Sequence, residues 1–126
     1  MSRNRRSAKA AGSLFESQVA GYLADALDDD RIERRARNGS KDRGDVSGVR
    51  TALGERLVIE CKNTARLDLA GWAREVTVER GNDDAPVGVT VHKRHGVGVT
   101  RMGEQWVSMT LADLAVLLGG TREETS

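Results

Sequence analysis

The stretch Arg56-Leu57-Val58-Ile59-Glu60-Cys61-Lys62 decides the fold. In an extended chain, successive side chains point to opposite faces. Leu57, Ile59 and Cys61 then share one face, and Val58, Glu60 and Lys62 share the other. The apolar trio belongs to a core, so Glu60 and Lys62 leave the opposite face together. Residues 45–50 read as a second strand, with Gly54 in the turn between the two. In such a hairpin Asp45, which begins the first strand, converges with Glu60 and Lys62 at one end of the sheet.

Working outward, Ser13 with Glu16 three residues on reads as a capping box. Phe15, Val19, Tyr22, Leu23, Ala26 and Leu27 follow at helical spacing, and the helix stops near Leu27. Residues 31–37 fit a charged edge strand, and residues 38–44 are a loop by composition. Asp68 is placed to cap a helix through about Arg80, with Leu69, Trp72, Ala73 and Val76 on one stripe. Val87, Val89 and Val91 alternate as a strand, and residues 105–109 form a short one. Either Thr110 or Asp113 starts a closing helix that Gly119-Gly120 stops. The expected order is α-β-β-β-α-β-β-α, an α/β sandwich of mixed strand direction. Residues 1–11 are expected as a flexible basic arm, residues 12–120 as one domain and residues 121–126 as a frayed tail.

A chain of 126 residues is one domain by size and buries a core without staples. Its single cysteine makes no internal disulfide, which excludes small secreted scaffolds and favours a reducing compartment. No apolar run approaches the ~20 residues of a membrane span, so a soluble, cytoplasmic protein is expected. The net charge of +1 hides an asymmetry. Residues 1–11 hold Arg3, Arg5, Arg6 and Lys9 and no acid. Residues 31–43 hold Arg31, Arg34, Arg35, Arg37, Lys41 and Arg43 against two acids, and residues 12–30 hold five acids and no base. Two basic blocks on a near-neutral chain point to an anionic partner, with nucleic acid the commonest.

Asp45 and Glu60 at one strand end form a hard oxygen site suited to a divalent cation. Such a cation acidifies water and neutralises charge building on a phosphate. Lys62 beside it is placed to orient or deprotonate that water, or to bind the phosphate. His92 and His95 have no Cys or acid at ligand spacing, so zinc is not implied and both are expected in solvent. Cys61 faces the core and is no nucleophile. Trp72 and Trp106 are expected as packing anchors, and Gly96-Val97-Gly98 lacks the third glycine of a dinucleotide motif.

Gly12-Ser13-Leu14-Phe15-Glu16, Arg37-Asn38-Gly39-Ser40, Gly44-Asp45-Val46 and Val58-Ile59-Glu60-Cys61-Lys62 together resemble the PD-(D/E)XK nuclease superfamily. Within it they are most similar to the small archaeal-type and phage Holliday-junction resolvases. The resemblance covers residues 12–95, and Gly44 stands where the superfamily's name has proline. It implies a restriction-endonuclease-like mixed β-sheet flanked by helices, in a metal-dependent endonuclease. Asp45, Glu60 and the backbone carbonyl of Cys61 would be metal ligands, with Lys62 the base or phosphate stabiliser. Glu16 would join the site directly or through water, and Ser40 would sit in a loop that positions the scissile strand.

The expected activity is therefore Mg²⁺-dependent cleavage of branched double-stranded DNA, with Mn²⁺ as substitute and no small-molecule cofactor. The simplest form is a Holliday-junction resolvase acting as a homodimer in a prokaryotic or phage-infected cell, because paired incisions need two sites. Arg3, Arg5, Arg6, Lys9, Arg34, Arg35, Arg37, Lys41 and Arg43 would contact phosphates. Two alternatives stand beside it: a nuclease of the same superfamily for forks, flaps or Y-junctions, and a non-catalytic DNA-binding module.

Overall fold

The computed structural model describes residues 4–36 and 41–123. It is an α/β structure with a mixed five-stranded sheet between helices. Helix α1 (Arg5–Ala26) starts well before Ser13, because Asn4 is the cap: its Oδ1 accepts the Ser7 N–H at 2.8 Å. The residues that follow include Ala8, Ala10, Ala11, Arg5, Arg6 and Lys9, all good helix formers. Residues 5–11 are thus the first two turns of α1, a correction to the expected arm. Ser13 and Glu16 lie in the helix interior, and both accept from the Arg34 guanidinium instead of making a capping box.

Strands β1 (Glu33–Arg34), β2 (Val46–Ser47), β3 (Leu57–Lys62), β4 (Val87–His92) and β5 (Trp106–Ser108) lie in the sheet in chain order. β3 and β4 are parallel, and every other neighbouring pair is antiparallel. A parallel pair needs a long crossover, which α2 (Leu69–Asp83) supplies. β4 is buried along its whole length, as a strand covered on both faces should be. α1 covers one face, packing Phe15, Val19 and Ala20 on Val46, Ile59, Cys61, Val89 and Val91. α2 covers the other, laying Trp72 and Val76 over Val58, Gly88 and His92. A 3-10 helix (Val99–Glu104) that the pattern does not announce precedes β5.

Helix α3 (Leu111–Leu117) closes the described chain, capped by Thr110, whose side chain accepts the Asp113 N–H. Asp113 is buried, and Arg122 donates to it and to the Pro86 carbonyl. Arg122, within the stretch expected to fray, is therefore anchored, and residues 124–126 lie outside the described residues. Among the described residues, no helix is long and apolar enough to cross a membrane.

Gly88 lets α2 approach β4 closely, because a Cβ there would overlap Cγ1 of Val76 and press on Val58. Gly88→Ala should cost about 1–3 kcal/mol by overpacking. In thermal unfolding this appears as a Tm lowered by about 4 °C or more.

Candidate functional site

The site is built where the chain entering β2 meets β3 under α2. As the alternation requires, Glu60 and Lys62 face α2 while Ile59 and Cys61 face α1. Asp45 is fixed to β3 twice. Its backbone N–H donates to the Ile59 carbonyl at 2.8 Å, and its Oδ2 accepts the Cys61 N–H at 2.8 Å. The approach depends on Gly44, whose φ is +95° and whose Cβ, if present, would stand 3.0 Å from the Ile59 carbonyl oxygen. Proline, locked near φ ≈ −65°, cannot adopt that backbone. Glycine at this position is a requirement of the local geometry.

α2 contributes two acids that the sequence reading passed over. Glu75 accepts a hydrogen bond from the Lys62 ammonium at 2.7 Å. Glu79, one helical turn later, is only 2 % exposed, and neither of its oxygens has a hydrogen-bond donor. Carboxylate oxygens of Asp42, Glu60 and Glu79 lie within 4.8 Å of one another. Asp42 is held in place by its own loop: its Oδ1 accepts the Gly44 N–H at 3.0 Å, and its carbonyl accepts from the Asn82 side chain at 2.7 Å. Asp45 borders the cluster through Glu60. Two carboxylates hydrogen-bond each other only when one keeps its proton, so Glu79, whose oxygens have no other donor, depends on a proton or a cation.

Burial first, then contact with Glu60, pushes Asp45 up to about 8. Burial and the neighbouring Glu79 push Glu60 up to about 8, against the opposing pull of Asp45 and Lys62. Burial and the charges of Asp42, Asp45 and Glu75 push Glu79 up to about 7, though its contact with Glu60 acts the other way. Burial works against the charge on Lys62, but the Glu75 hydrogen bond and nearby acids outweigh it and raise its pKa. Lys62 is thus an ammonium at neutral pH. The acids around it cannot all be ionised without a compensating charge. An all-oxygen donor set of this kind could hold a hard divalent cation, and the orphaned oxygens of Glu79 fit that role.

The other expected residues fall in several places. Glu16 is outside the cluster, with Oε2 accepting from Arg34 Nε at 2.8 Å. The Cys61 thiol is buried, which raises its pKa and keeps it neutral. Arg5, Arg6, Lys9, Lys41 and Arg43 are exposed. Arg35 is half-buried and faces Asp83 at 3.9 Å. Arg3, Arg37 and Ser40 lie outside the described residues. His92 is a correction: it is buried, its ring 5.0 Å from Trp72 and its Nε2 2.7 Å from Ser108 Oγ. It shares the α2 face with Glu60 and Lys62, so the helix roofs all three. Trp72 is buried as expected, whereas Trp106 is half-exposed on β5 with the Arg94 guanidinium 4.5 Å from its ring centre.

No family model matches the chain, and no curated protein or solved structure matches it.

The raised carboxyl pKa values fix a sign. Unfolded, these acids lose their protons near 3.8 and 4.5; folded and cation-free, they keep them to about 7 or 8. The folded state binds more protons across that window, so stability in EDTA should fall as pH rises through it. The slope is about 1.4 kcal/mol per pH unit for each extra proton. Added Mg²⁺ should raise Tm, and more at pH 8 than at pH 5.5. Glu79→Gln should flatten both effects; a variant indistinguishable from wild type in both would remove Glu79 from the cluster's electrostatics.

Proposed function

We propose that the chain is a divalent-cation-dependent endonuclease with a restriction-endonuclease-like fold, cutting branched double-stranded DNA in the manner of a Holliday-junction resolvase. One observation carries the reading. Buried Glu79 has no hydrogen-bond donor for either oxygen, one carboxylate oxygen each of Asp42, Glu60 and Glu79 lies within 4.8 Å of the others, and the Lys62 ammonium stands on the same face of the strand that carries Glu60. Protein interiors rarely tolerate such a set of acids unless a cation or a proton serves them. The resemblance around Gly44-Asp45 and Glu60-Cys61-Lys62 names the chemistry that uses this combination.

Asp42, Glu60 and Glu79 would hold the cation, with Asp45 beside them through Glu60. Mg²⁺ fits the oxygen donors, and Mn²⁺ would substitute. When bound, such a cation lowers the pKa of an attacking water and supplies positive charge at the phosphate. Lys62, charged and steadied by Glu75, is a poor base in this state. Its role is to bind and polarise the phosphate as negative charge builds on it. Asp45 keeps the cluster's geometry by bonding to the backbone of β3.

Arg5, Arg6 and Lys9 at the start of α1, with Lys41 and Arg43 before Asp45, would hold duplex arms through their phosphates. Paired incision of a four-way junction calls for two copies. Half-exposed Val107 on edge strand β5 and exposed Leu111 and Leu118 at α3 favour self-association on that side.

The test is cleavage of labelled four-way, forked and linear DNA in Mg²⁺ and in EDTA. Wild type should cut branched DNA only with metal. Glu60→Gln and Lys62→Ala should each lose about 10²-fold or more in rate, the scale expected for removing one transition-state contact, while still binding in EDTA. Symmetric paired nicks select the resolvase. Binding without cleavage in any metal, or variants that cut like wild type, sinks the proposal.

A further inference from the structure

We propose that a second site, a cleft of about 260 Å³ walled by Arg35, Arg43, Arg50 and Arg56, holds a phosphate group. That the phosphate belongs to the nucleic-acid strand being cut rests on the nuclease reading above; the phosphate chemistry does not.

The four arginines come from separate segments that the sheet gathers at one end. Arg35 follows β1, Arg43 precedes Asp45, and Arg50 and Arg56 pair across an isolated bridge beside the turn that joins β2 to β3. Asp83, at the end of α2, is the one acid lining the cleft. Four guanidiniums against one carboxylate leave an excess of positive charge in a small volume, which repels itself until an anion enters. The internal bonds do not use it up. Arg50 gives one N–H to the Gly54 carbonyl at 3.0 Å, and Arg56 gives one to the Asp83 carbonyl at 3.0 Å. Each guanidinium carries five N–H donors. Arg35 Nε is buried without a partner, although its terminal nitrogen is 3.9 Å from Asp83. Capping the C-terminus of α2 accounts for Arg35 and Arg56, and one N–H of Arg50 closes its own turn, which leaves Arg43 and the remaining donors of Arg50 unexplained. Planar guanidinium forks lining one small cleft match the oxygens of a phosphate.

Its position relative to the acidic cluster follows from α2. Glu75, Glu79 and Asp83 recur every four residues along one side of the helix, about 6 Å per step. Lys62 meets the first, the acidic cluster contains the second, and the arginine cleft surrounds the third. One step along α2 is comparable to the separation of neighbouring phosphates on a single strand. The cleft is one step from Glu79 and its neighbour Glu60 and two steps from Lys62, so a strand whose scissile phosphate lies at Glu60 would place a neighbouring phosphate in the arginine cleft.

The experiment has two arms, both in EDTA. In the first, inorganic phosphate replaces chloride at constant ionic strength while Tm is read. Wild type and Glu60→Gln should both gain stability, whereas Arg43→Ala and the charge-preserving Arg50→Lys should gain little, their Tm in chloride reporting any fault in folding. In the second, the affinity for labelled four-way DNA is measured against salt. Arg43→Ala should reduce the log–log slope by about 0.9, the loss of one phosphate contact. A phosphate response with an unchanged DNA slope identifies the occupant as a free phosphate and overturns its assignment to the strand. No phosphate response in wild type, or an Arg43→Ala protein matching wild type in both arms, overturns the site. Loss of cleavage chemistry alone, with both arms intact, defeats the nuclease reading and leaves the cleft standing.

Discussion

Asp45 is bonded to β3 through its own N–H and through its side chain, and the site depends on that double attachment. The Cys61 N–H it satisfies lies between Glu60 and Lys62 in the sequence of β3, the two residues that face α2 together. Removing the carboxylate would leave a buried donor unpaired, at a cost of about 1–3 kcal/mol, and release the loop that holds Asp42. Asp45 thus puts one oxygen to structural use, as Asp42 does with the Gly44 N–H, whereas neither oxygen of Glu79 has a donor. This division of labour explains why Asp45 is at the edge of the cluster and Glu79 is within it.

The cluster is an electrostatic liability in the protein alone. Burial raises the cost of the charges on Glu60 and Glu79, and exposed Asp42 adds its own charge close beside theirs. α2 supplies the packing that offsets it: Val76 lies within one turn of Glu79 and Trp72 about two turns from it, so the helix that brings in Glu79 also covers the site with apolar side chains. Lys62 stays outside this balance. Its ammonium is satisfied by Glu75 at the half-exposed rim, where a charge is cheaper.

Much of this is legible in the sequence, and the gaps have physical causes. Alternation along Arg56–Lys62 was enough to put Glu60 and Lys62 on one face, because a strand buried on its other face has only one register. The α2 acids were missed because the stripe Leu69, Trp72, Ala73, Val76 was followed through apolar residues only. Carried three residues on, the same spacing lands on Glu79, and an acid on a buried stripe is itself the signal. His92 follows the same logic: counting from Val87, Val89 and Val91 puts it on the face with Glu60, but that this face lies under a helix is a tertiary fact. At the N-terminus, Ser13 and Glu16 carry a capping-box pattern that Asn4 outcompetes. Local patterns of that kind set where a helix can begin, and upstream propensity decides where it does. The basic residues sort into two groups that sequence alone cannot separate, those on the α1 surface and those that the sheet draws into one cleft.

The acids of the cluster come from a loop, a strand and a helix, at Asp42, Glu60 and Glu79. They meet only after the hairpin has paired and α2 has crossed over to dock on the parallel strands. Their repulsion is therefore absent from early, hairpin-like stages of folding and appears when the helix arrives. In the cation-free chain it falls chiefly on the late contacts, so it acts by hastening the undocking of α2 more than by slowing the first pairing of strands. An ion that binds the three carboxylates would tie loop, strand and helix together and stabilise the finished fold.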